Sequence, residues 1–206
     1  KKTGITLINA QDFCIPPKLW RYLPISKGNI DCVIFRDADS LLSKRESRLV
    51  SEWIESNYLF HIIRDHPMHI SPILAGMFGV KKSGFSLIYE IIKDRDLYQM
   101  ERVYDYDQVL LADYIYPKIH YRSMIHTSFF KFHNEKVRVI KPVFDYIGLI
   151  SESSDRDKDK DRELIVASSF ISGVPYHLAK IVRYRIRLVK YMSIFYNLIA
   201  KKQEAL

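Results

Sequence analysis

The stretch CVIFRDADSLLSKRE, residues 32–46, decides the fold that the sequence predicts. Its apolar run leads directly into two carboxylates one residue apart, Asp37 and Asp39, followed by the hydroxyl of Ser40. The run predicts a buried strand over 31–37. Two acids just past such a strand are either oxygen ligands for a hard divalent cation or a turn and cap before the next helix. The stretch alone leaves both interpretations open.

The segments that follow predict a single α/β domain. Ser43 and Glu46 form a capping-box signature for a helix over 43–56, whose apolar residues recur at helical spacing. Further strands are predicted over 4–9, 58–65, 123–130 and 145–150, helices over 83–94 and 105–119, and a short apolar element over 73–82. This alternation predicts a mixed or largely parallel sheet flanked by helices.

Two segments have a composition that argues against regular structure. Residues 14–29, CIPPKLWRYLPISKGN, contain three prolines and are interpreted as an irregular connection. Residues 151–163, SESSDRDKDKDRE, are interpreted as a charged loop or linker. We therefore expect a domain over 1–150, a linker over 151–163 and a separate C-terminal helical region over 164–206.

Length and composition limit the class of protein. A chain of 206 residues with 48% hydrophobic and 27% charged residues builds one sizeable core. Cys14 and Cys32 lack CxxC spacing and no secretory leader opens the chain, so we expect a cytoplasmic protein without disulfides. No stretch reaches the roughly 18 uninterrupted apolar residues of a membrane-spanning helix.

The net charge of +8 is concentrated at the C-terminal end. Residues 175–206 hold seven of the 32 basic residues and one of the 24 acidic residues. The rest of the chain is nearly neutral and shows no helix-turn-helix, zinc-finger or RNP signature. We therefore expect no nucleic-acid partner.

The basic residues of this C-terminal segment form a helical pattern. At helical spacing, most cations and the apolar residues of 175–202 fall in two separate sectors, although Arg185 falls among the apolar positions, and this pattern predicts a basic amphipathic helix. The cationic sector comprises Lys180, Arg183, Arg187 and Lys190. Such a helix either lies on an anionic membrane surface or packs its apolar side on the sheet and leaves its cations in water.

Two enzyme classes place an acid-x-acid pair after an apolar strand. In phosphatases of the haloacid-dehalogenase type the first acid, here Asp37, is the nucleophile, and FRDADSLL resembles that motif. That class also uses a lysine and a final acidic pair, and the sequence shows no such pair at a later strand end. The phosphatase is kept as an alternative.

The second class matches at four motifs in order: VIFRDADS, PILAGMFG, DYDQVLLADYIYP and MIHTSFFKF. They resemble the DxD, glycine-containing, acidic and late histidine segments of nucleotide-sugar glycosyltransferases with the GT-A fold. The connecting FHIIRDHPMHISPILAGMFG is similar to bacterial and viral glycosyltransferase-like proteins. The resemblance covers about residues 18–150, and it implies a GT-A-like, Rossmann-type mixed sheet.

The resemblance also implies a metal site. Asp39 would bind Mn²⁺ or Mg²⁺, Asp37 would bind the metal or the donor ribose, and His126 would complete the site. A metal that bridges the diphosphate neutralises the charge of the leaving group. Lys131 would contact a phosphate, although its spacing from His126 is shorter than usual and lacks the usual glycine. Taken alone, a histidine on an apolar strand such as His126 is more often a buried structural residue than a ligand, and the accompanying DxD motif makes the two interpretations even.

The remaining implied roles concern the donor and the acceptor. The donor-binding set is Arg21, Asp37, Ala38, Gly76, Met77 and Lys131. The catalytic set is Asp107, Gln108 and Asp65, with His66 on the acceptor side. Asp107 is equally suited to capping the helix that follows it.

The implied activity is transfer of a sugar from a UDP- or GDP-linked donor to a glycan or lipid-linked acceptor, in surface polysaccharide synthesis. The enzyme would then be cytoplasmic or peripheral on the inner face of a membrane. Only 36 residues precede Asp37, so we expect the nucleotide-binding half of the fold to be truncated. A glycosyltransferase-like binding module without catalysis is the second alternative.

Overall fold

The computed structural model describes Gly4 and residues 9–94, 106–132, 134–152 and 154–174. Its strands are β1 (Cys32–Arg36), β2 (Phe60–Arg64), β3 (Met77–Lys81), β4 (Ser123–Thr127), β5 (Phe130–Phe132), β6 (Val137–Val139) and β7 (Ile171–Val174). Its α-helices are α1 (Lys44–Glu55), α2 (Phe85–Ile92), α3 (Tyr106–Leu110), α4 (Tyr116–Ile119) and α5 (Asp155–Ala167). A π-helical turn, Leu111–Ile115, joins α3 to α4.

Five strands form one mixed sheet in the order β1-β3-β2-β4-β6. β2, β4 and β6 are parallel, and β3 runs antiparallel between β1 and β2. The strands β1, β2, β4 and β6 therefore all end at the same edge of the sheet, and β3 begins there. This edge brings the residues after β1 next to the residues before β3, in the register Arg36↔Met77.

Helical segments pack on both faces of the sheet. Neighbouring residues of a strand point to opposite faces, so each strand contributes side chains to both interfaces. On one face, Trp53 of α1 lies against Gly79, where a Cβ would approach the indole ring to 2.9 Å. On the other face, the ring centroids of Phe78 and Phe35 are 4.5 Å apart, and the Tyr22 ring packs against both rings. The prediction of a mixed α/β sheet flanked by helices is confirmed.

The N-terminal proline-rich segment is ordered, contrary to the sequence interpretation. Pro17–Ser26 forms a 3₁₀ helix that buries Leu19, Tyr22, Leu23 and Ile25. Pro17 occupies the first turn, where a missing N–H costs little. The prediction of an irregular connection is wrong: the segment forms a ten-residue 3₁₀ helix with Pro17 in its first turn and Pro24 inside it, and its apolar residues remain buried.

The predicted linker and the last predicted strand are also wrong. Residues 155–163 belong to α5, which Ser154 caps by accepting a hydrogen bond from the Asp157 N–H. Leu164 and Ile165 fix this helix to the domain by burial. Residues 145–150 form no strand and contribute one isolated bridge, Ser40↔Ile150.

The predicted C-terminal region over 164–206 begins with the last residues of α5 and continues into β7, which pairs with β5 in a second, two-stranded sheet. The predicted basic amphipathic helix over 175–202 and most of the predicted strand over 4–9 lie outside the described residues. No helix among the described residues is long and apolar enough to cross a membrane.

Candidate functional site

A cavity of about 270 Å³ opens at the sheet edge where β1 ends and β3 begins. It collects residues from five separate parts of the sequence. Its lining comprises Arg21, Asp37, Ser40, His69, Leu74, Ala75, Gly76, Met77, Asp107, Gln108 and Gly148. Six of the predicted site residues, Arg21, Asp37, Gly76, Met77, Asp107 and Gln108, therefore line one cavity.

Asp37 is the first residue after β1 and is held from two sides. Arg21 donates a hydrogen bond from NH1 to Asp37 Oδ1 at 2.7 Å. Gly76 lies directly against the Asp37 carboxylate, so that a Cβ at position 76 would overlap it. Burial lowers the pKa of Arg21, but the hydrogen bond to Asp37 and the nearby charges of Asp37 and Asp107 outweigh it and raise that pKa overall. The guanidinium is thus a permanent cation beside two carboxylates.

The loop after Asp37 is fastened to residues 149–151. The Ser40 N–H donates to the Asp37 carbonyl, which closes a turn, and the Ser151 N–H donates to the Asp39 carbonyl at 2.9 Å. The Asp39 side chain is exposed, and no described residue binds its carboxylate. The cap of α1 is Ser43, whose side chain accepts from the Glu46 N–H. Asp37 therefore makes a turn, but neither acid caps the helix.

Gln108 positions the wall of the cavity. Its Oε1 accepts from the Ala75 N–H at 3.1 Å and its Nε2 donates to the Ile73 carbonyl at 2.9 Å. Both ends of the amide are therefore used to hold the segment before Gly76. Asp107 lies one residue earlier in α3 and lines the cavity with its neighbour.

Asp65, predicted to be catalytic, is a buried structural residue. Its side chain is fully buried, and Arg45 binds both oxygens at 2.8 Å. Ser128 donates to Oδ1 and the Ile147 N–H donates to Oδ2. These contacts tie α1 to the loops after β4 and β6. Because both oxygens are occupied, the predicted catalytic role does not fit this geometry.

His66, predicted to contact the acceptor, is buried beneath Tyr146. The two ring centroids are 4.2 Å apart, and His66 Nδ1 accepts from the Met68 N–H at 3.2 Å. Asp161 of α5 lies 3.8 Å from Nε2. The predicted acceptor role does not fit, because the helix that the sequence interpretation treated as a linker contributes to covering this ring.

His126, predicted to be a metal ligand, does not line the cavity. It is 1% exposed, its Nδ1 lies 2.8 Å from His61 Nε2, and its Nε2 lies 3.2 Å from Glu52. Because Glu52 accepts the proton on Nε2, Nδ1 is left to accept from His61. Both ring nitrogens are occupied. Burial and the nearby Arg45 lower the pKa of His126 to about 4, which keeps the ring neutral.

Two predicted donor contacts lie outside the cavity lining. Lys131 belongs to β5 and pairs with Ser172 of β7 in the second sheet. Ala38 is exposed in the turn between the two acids. Neither residue therefore lines the cavity.

The cavity also contains residues that the sequence interpretation did not select. His69 and Gly148 are the clearest: Gly148 has a positive φ of 93°, which favours glycine, and lies against Met77 and His69. His69 follows Pro67 in the HPMH motif, but nothing in that motif indicates which of its histidines faces a cavity.

The described residues provide two carboxylates, Asp37 and Asp39, at the end of β1. No group of three or more His, Cys, Asp or Glu side chains in the described part of the chain is arranged to hold a metal ion. The described residues therefore do not bring His126 together with Asp37 and Asp39 as a three-residue site. Two carboxylates still fit a hard cation such as Mg²⁺, which commonly takes its other ligands from water and substrate phosphates.

Comparisons with known proteins give little further guidance. No protein-family model matches the chain, and no curated protein matches it. Among solved structures, it is similar to a glycosyltransferase involved in the glycosylation of the major capsid of PBCV-1. The two share 11% sequence identity over 84% of this chain and 78% of the other, with a TM-score of 0.39. At this TM-score the likeness carries no argument about function.

Proposed function

We propose that the chain is a nucleotide-sugar glycosyltransferase that uses the cavity at the end of β1 as its donor site. One observation supports this proposal most strongly. Arg21, Asp37, Gly76, Met77, Asp107 and Gln108 come from four separate segments and line one cavity. A convergence of charged groups in a concave site is the usual sign of a binding or catalytic centre.

The charges of the cavity match a sugar diphosphate. Arg21 presents a planar guanidinium, which suits phosphate oxygens, and its remaining N–H groups extend beyond the one that Asp37 accepts. Asp37 and Asp39 are the residues that would hold Mn²⁺ or Mg²⁺, which when bound neutralises the developing charge of the diphosphate leaving group. Asp107 also lines the cavity, and in this proposal it accepts a hydroxyl proton at the reacting sugar or the acceptor.

Gly76 and Gln108 give this site its shape. The missing side chain of Gly76 lets the start of β3 lie against Asp37. Gln108 fixes the backbone of 73–75 through two hydrogen bonds, so its role is to position the wall rather than to contact the reacting atoms. The sugar is transferred to a glycan or lipid-linked acceptor in this proposal.

The test is a panel of UDP- and GDP-linked sugars incubated with the full chain and Mn²⁺ or Mg²⁺, with release of nucleoside diphosphate as the readout. Asp107→Asn should reduce release by a factor of about 10² to 10⁴ if the carboxylate acts in proton transfer. Asp113→Asn is the matched control, since Asp113 is an exposed acid that follows α3. Release that is absent in the wild type, or equal in both variants, would contradict the proposal.

The phosphatase alternative receives no support from the cavity. Its lining residues, all in the described part of the chain, include no lysine, and Asp37 is already bound by Arg21. The full chain should therefore release no phosphate from p-nitrophenyl phosphate, and an Asp37-dependent release would favour the phosphatase.

One observation favours a binding module without catalysis as the second candidate. The described residues contribute two carboxylates rather than a complete protein metal site. Metal-dependent binding of a nucleotide sugar without turnover in any acceptor or hydrolysis assay would support this candidate.

A further inference from the structure

His69 lines the cavity and lies beside uncharged residues. It lines the cavity with Leu74, Met77 and Gly148. Gly148 is in contact range of both Met77 and the His69 ring, so these groups form one wall. Arg21 and Asp37, which also line the cavity, form an ion pair with each other. The wall formed by His69, Met77 and Gly148 therefore contains no acidic or basic side chain other than the imidazole itself.

The hydrogen bonding of His69 fixes the position of its proton. The backbone N–H of Asp65 donates to His69 Nδ1 at 3.2 Å. A backbone N–H is always a donor, so Nδ1 must be the acceptor and the neutral ring carries its proton on Nε2. No described residue hydrogen-bonds Nε2. The ring therefore presents one N–H donor that this part of the chain leaves available.

Surrounding residues hold this ring in place and keep it neutral. Asp65 is fixed by Arg45, Ser128 and the Ile147 N–H, and the His69 N–H itself donates to the His66 carbonyl at 2.9 Å. Burial lowers the pKa of His69 well below its ordinary value, and the neighbouring His66 lowers it further. The donor on Nε2 is therefore uncharged at neutral pH and needs no rearrangement before a ligand binds.

We propose that His69 determines sugar specificity by donating its Nε2–H to a hydroxyl oxygen of the donor sugar. This inference rests on the proposed function. A neutral donor on an uncharged wall suits a hydroxyl group, whereas the diphosphate is better matched by Arg21. Buried polar groups that are built to bind a hydroxyl reject ligands that lack it, because the donor is then left unpaired. His69 thus acts in recognition of the sugar rather than of the nucleotide.

Two substitutions separate this role from a structural one. His69→Asn keeps an acceptor near the position of Nδ1 for the Asp65 N–H but has no group that reaches the position of Nε2. His69→Gln places an amide N–H near the position of Nε2. His120→Asn is the control, since His120 stacks on Tyr116 outside the cavity lining.

The experiment titrates the full chain with UDP, GDP, UDP-glucose and GDP-mannose in the presence of Mn²⁺. For the nucleotide sugar that the wild type binds, His69→Asn should weaken binding about tenfold, the value of one net hydrogen bond at the upper end of its range. The same variant should bind the corresponding nucleoside diphosphate as the wild type does, with an unchanged melting temperature. His69→Gln should recover part of the loss.

The outcomes distinguish this inference from the proposed function. Equal weakening of nucleotide sugar and nucleoside diphosphate, or wild-type affinity of His69→Asn for both, overturns the role of His69 while donor binding stands. A wild type that binds none of the four compounds overturns both proposals together. A lower melting temperature of His69→Asn with unchanged affinities assigns His69 a structural role instead.

Discussion

Gly76 lies directly against the carboxylate of Asp37, so closely that a Cβ at position 76 would overlap it. Arg36, the last residue of β1, donates to the Gly76 carbonyl at 3.0 Å and also pairs with Glu46 of α1. The backbone at Gly76 is therefore held in place and cannot retreat easily. The position of the acid at the end of β1 depends on the absence of a side chain before β3.

Gly76→Ala should displace the Asp37 carboxylate from Arg21 and weaken nucleotide binding. Because the atoms that a Cβ would meet belong to a half-exposed carboxylate that can move aside, the free energy of unfolding should change much less than nucleotide binding. Gly28→Ala is the matched control, because a Cβ at Gly28 meets no atom within 4 Å. Calorimetric titration and thermal melting of both variants provide the measurement. If Gly76→Ala binds nucleotide as tightly as the wild type, binding does not depend on the missing side chain at position 76.

Asp65→Asn should destabilise the fold. The substitution removes the charge that pairs with Arg45 in the interior. It also replaces one of the two carboxylate oxygens, which together accept four hydrogen bonds, by an NH₂ group that can only donate. Losing one partner of a buried ion pair costs about 3–5 kcal/mol. Urea unfolding checks this value.

Asp159→Asn is the control for Asp65→Asn, since Asp159 pairs with Arg162 on the surface and such pairs contribute about 0–1 kcal/mol. If Asp65→Asn instead unfolds at the wild-type urea concentration but loses sugar transfer, the catalytic role predicted from the sequence is correct.

Acid should destabilise the protein through its buried histidines. Burial lowers the pKa of His61 to about 2 and that of His126 to about 4, whereas each titrates near 6.5 in the unfolded chain. Below about pH 6.5 the unfolded chain therefore binds more protons, and stability falls with pH down to the native pKa values. Above that pH the contribution of both rings is fully present. Each histidine contributes a slope of up to about 1.4 kcal/mol per pH unit.

Urea unfolding between pH 7 and pH 5 measures this slope while most carboxylates stay ionised. His126→Asn removes one titrating ring and should reduce the slope of the unfolding free energy against pH by the part that His126 contributes. His120→Asn should leave this slope close to the wild-type value. A wild-type stability that is flat over this pH range would show that the buried rings do not control the acid response.

The elements set by local pattern could be predicted from the sequence. The apolar run of β1 and the Ser43 cap with the helical spacing of Leu49 and Trp53 are local signals, and the structure confirms them. The charged composition of the segment before Leu164 predicts a loop, whereas the structure has a helix there. Two buried residues at the end of α5 fix this helix to the domain, and the charged segment itself contains no apolar pattern that would reveal it. Residues 145–150 are apolar but contact the DxD loop through a single bridge, which no local pattern reveals.

The candidate site was predictable only in part, for a related reason. The residues around Asp37 could be selected because the motif resemblance gave their order along the chain. The sequence does not show that Arg45, twenty residues before Asp65, occupies both of its oxygens. Nor does it show that His126 pairs with His61 on a neighbouring strand and with Glu52 of α1. Side chains that bind each other across elements look, in sequence, the same as side chains that bind a ligand.

The central claim is that Asp37 and Asp39 bind a nucleotide sugar through a divalent cation. The most direct measurement is a calorimetric titration of the full chain with UDP- and GDP-sugars, with Mn²⁺ or with EDTA, for the wild type, Asp39→Ala and Asp31→Ala. Asp31 is an exposed acid at the opposite end of β1, so its variant makes the same change away from the loop that follows β1. The account predicts binding with Mn²⁺ in the wild type and Asp31→Ala, and a loss of at least about tenfold with EDTA or in Asp39→Ala. Equal affinity under all these conditions would contradict it.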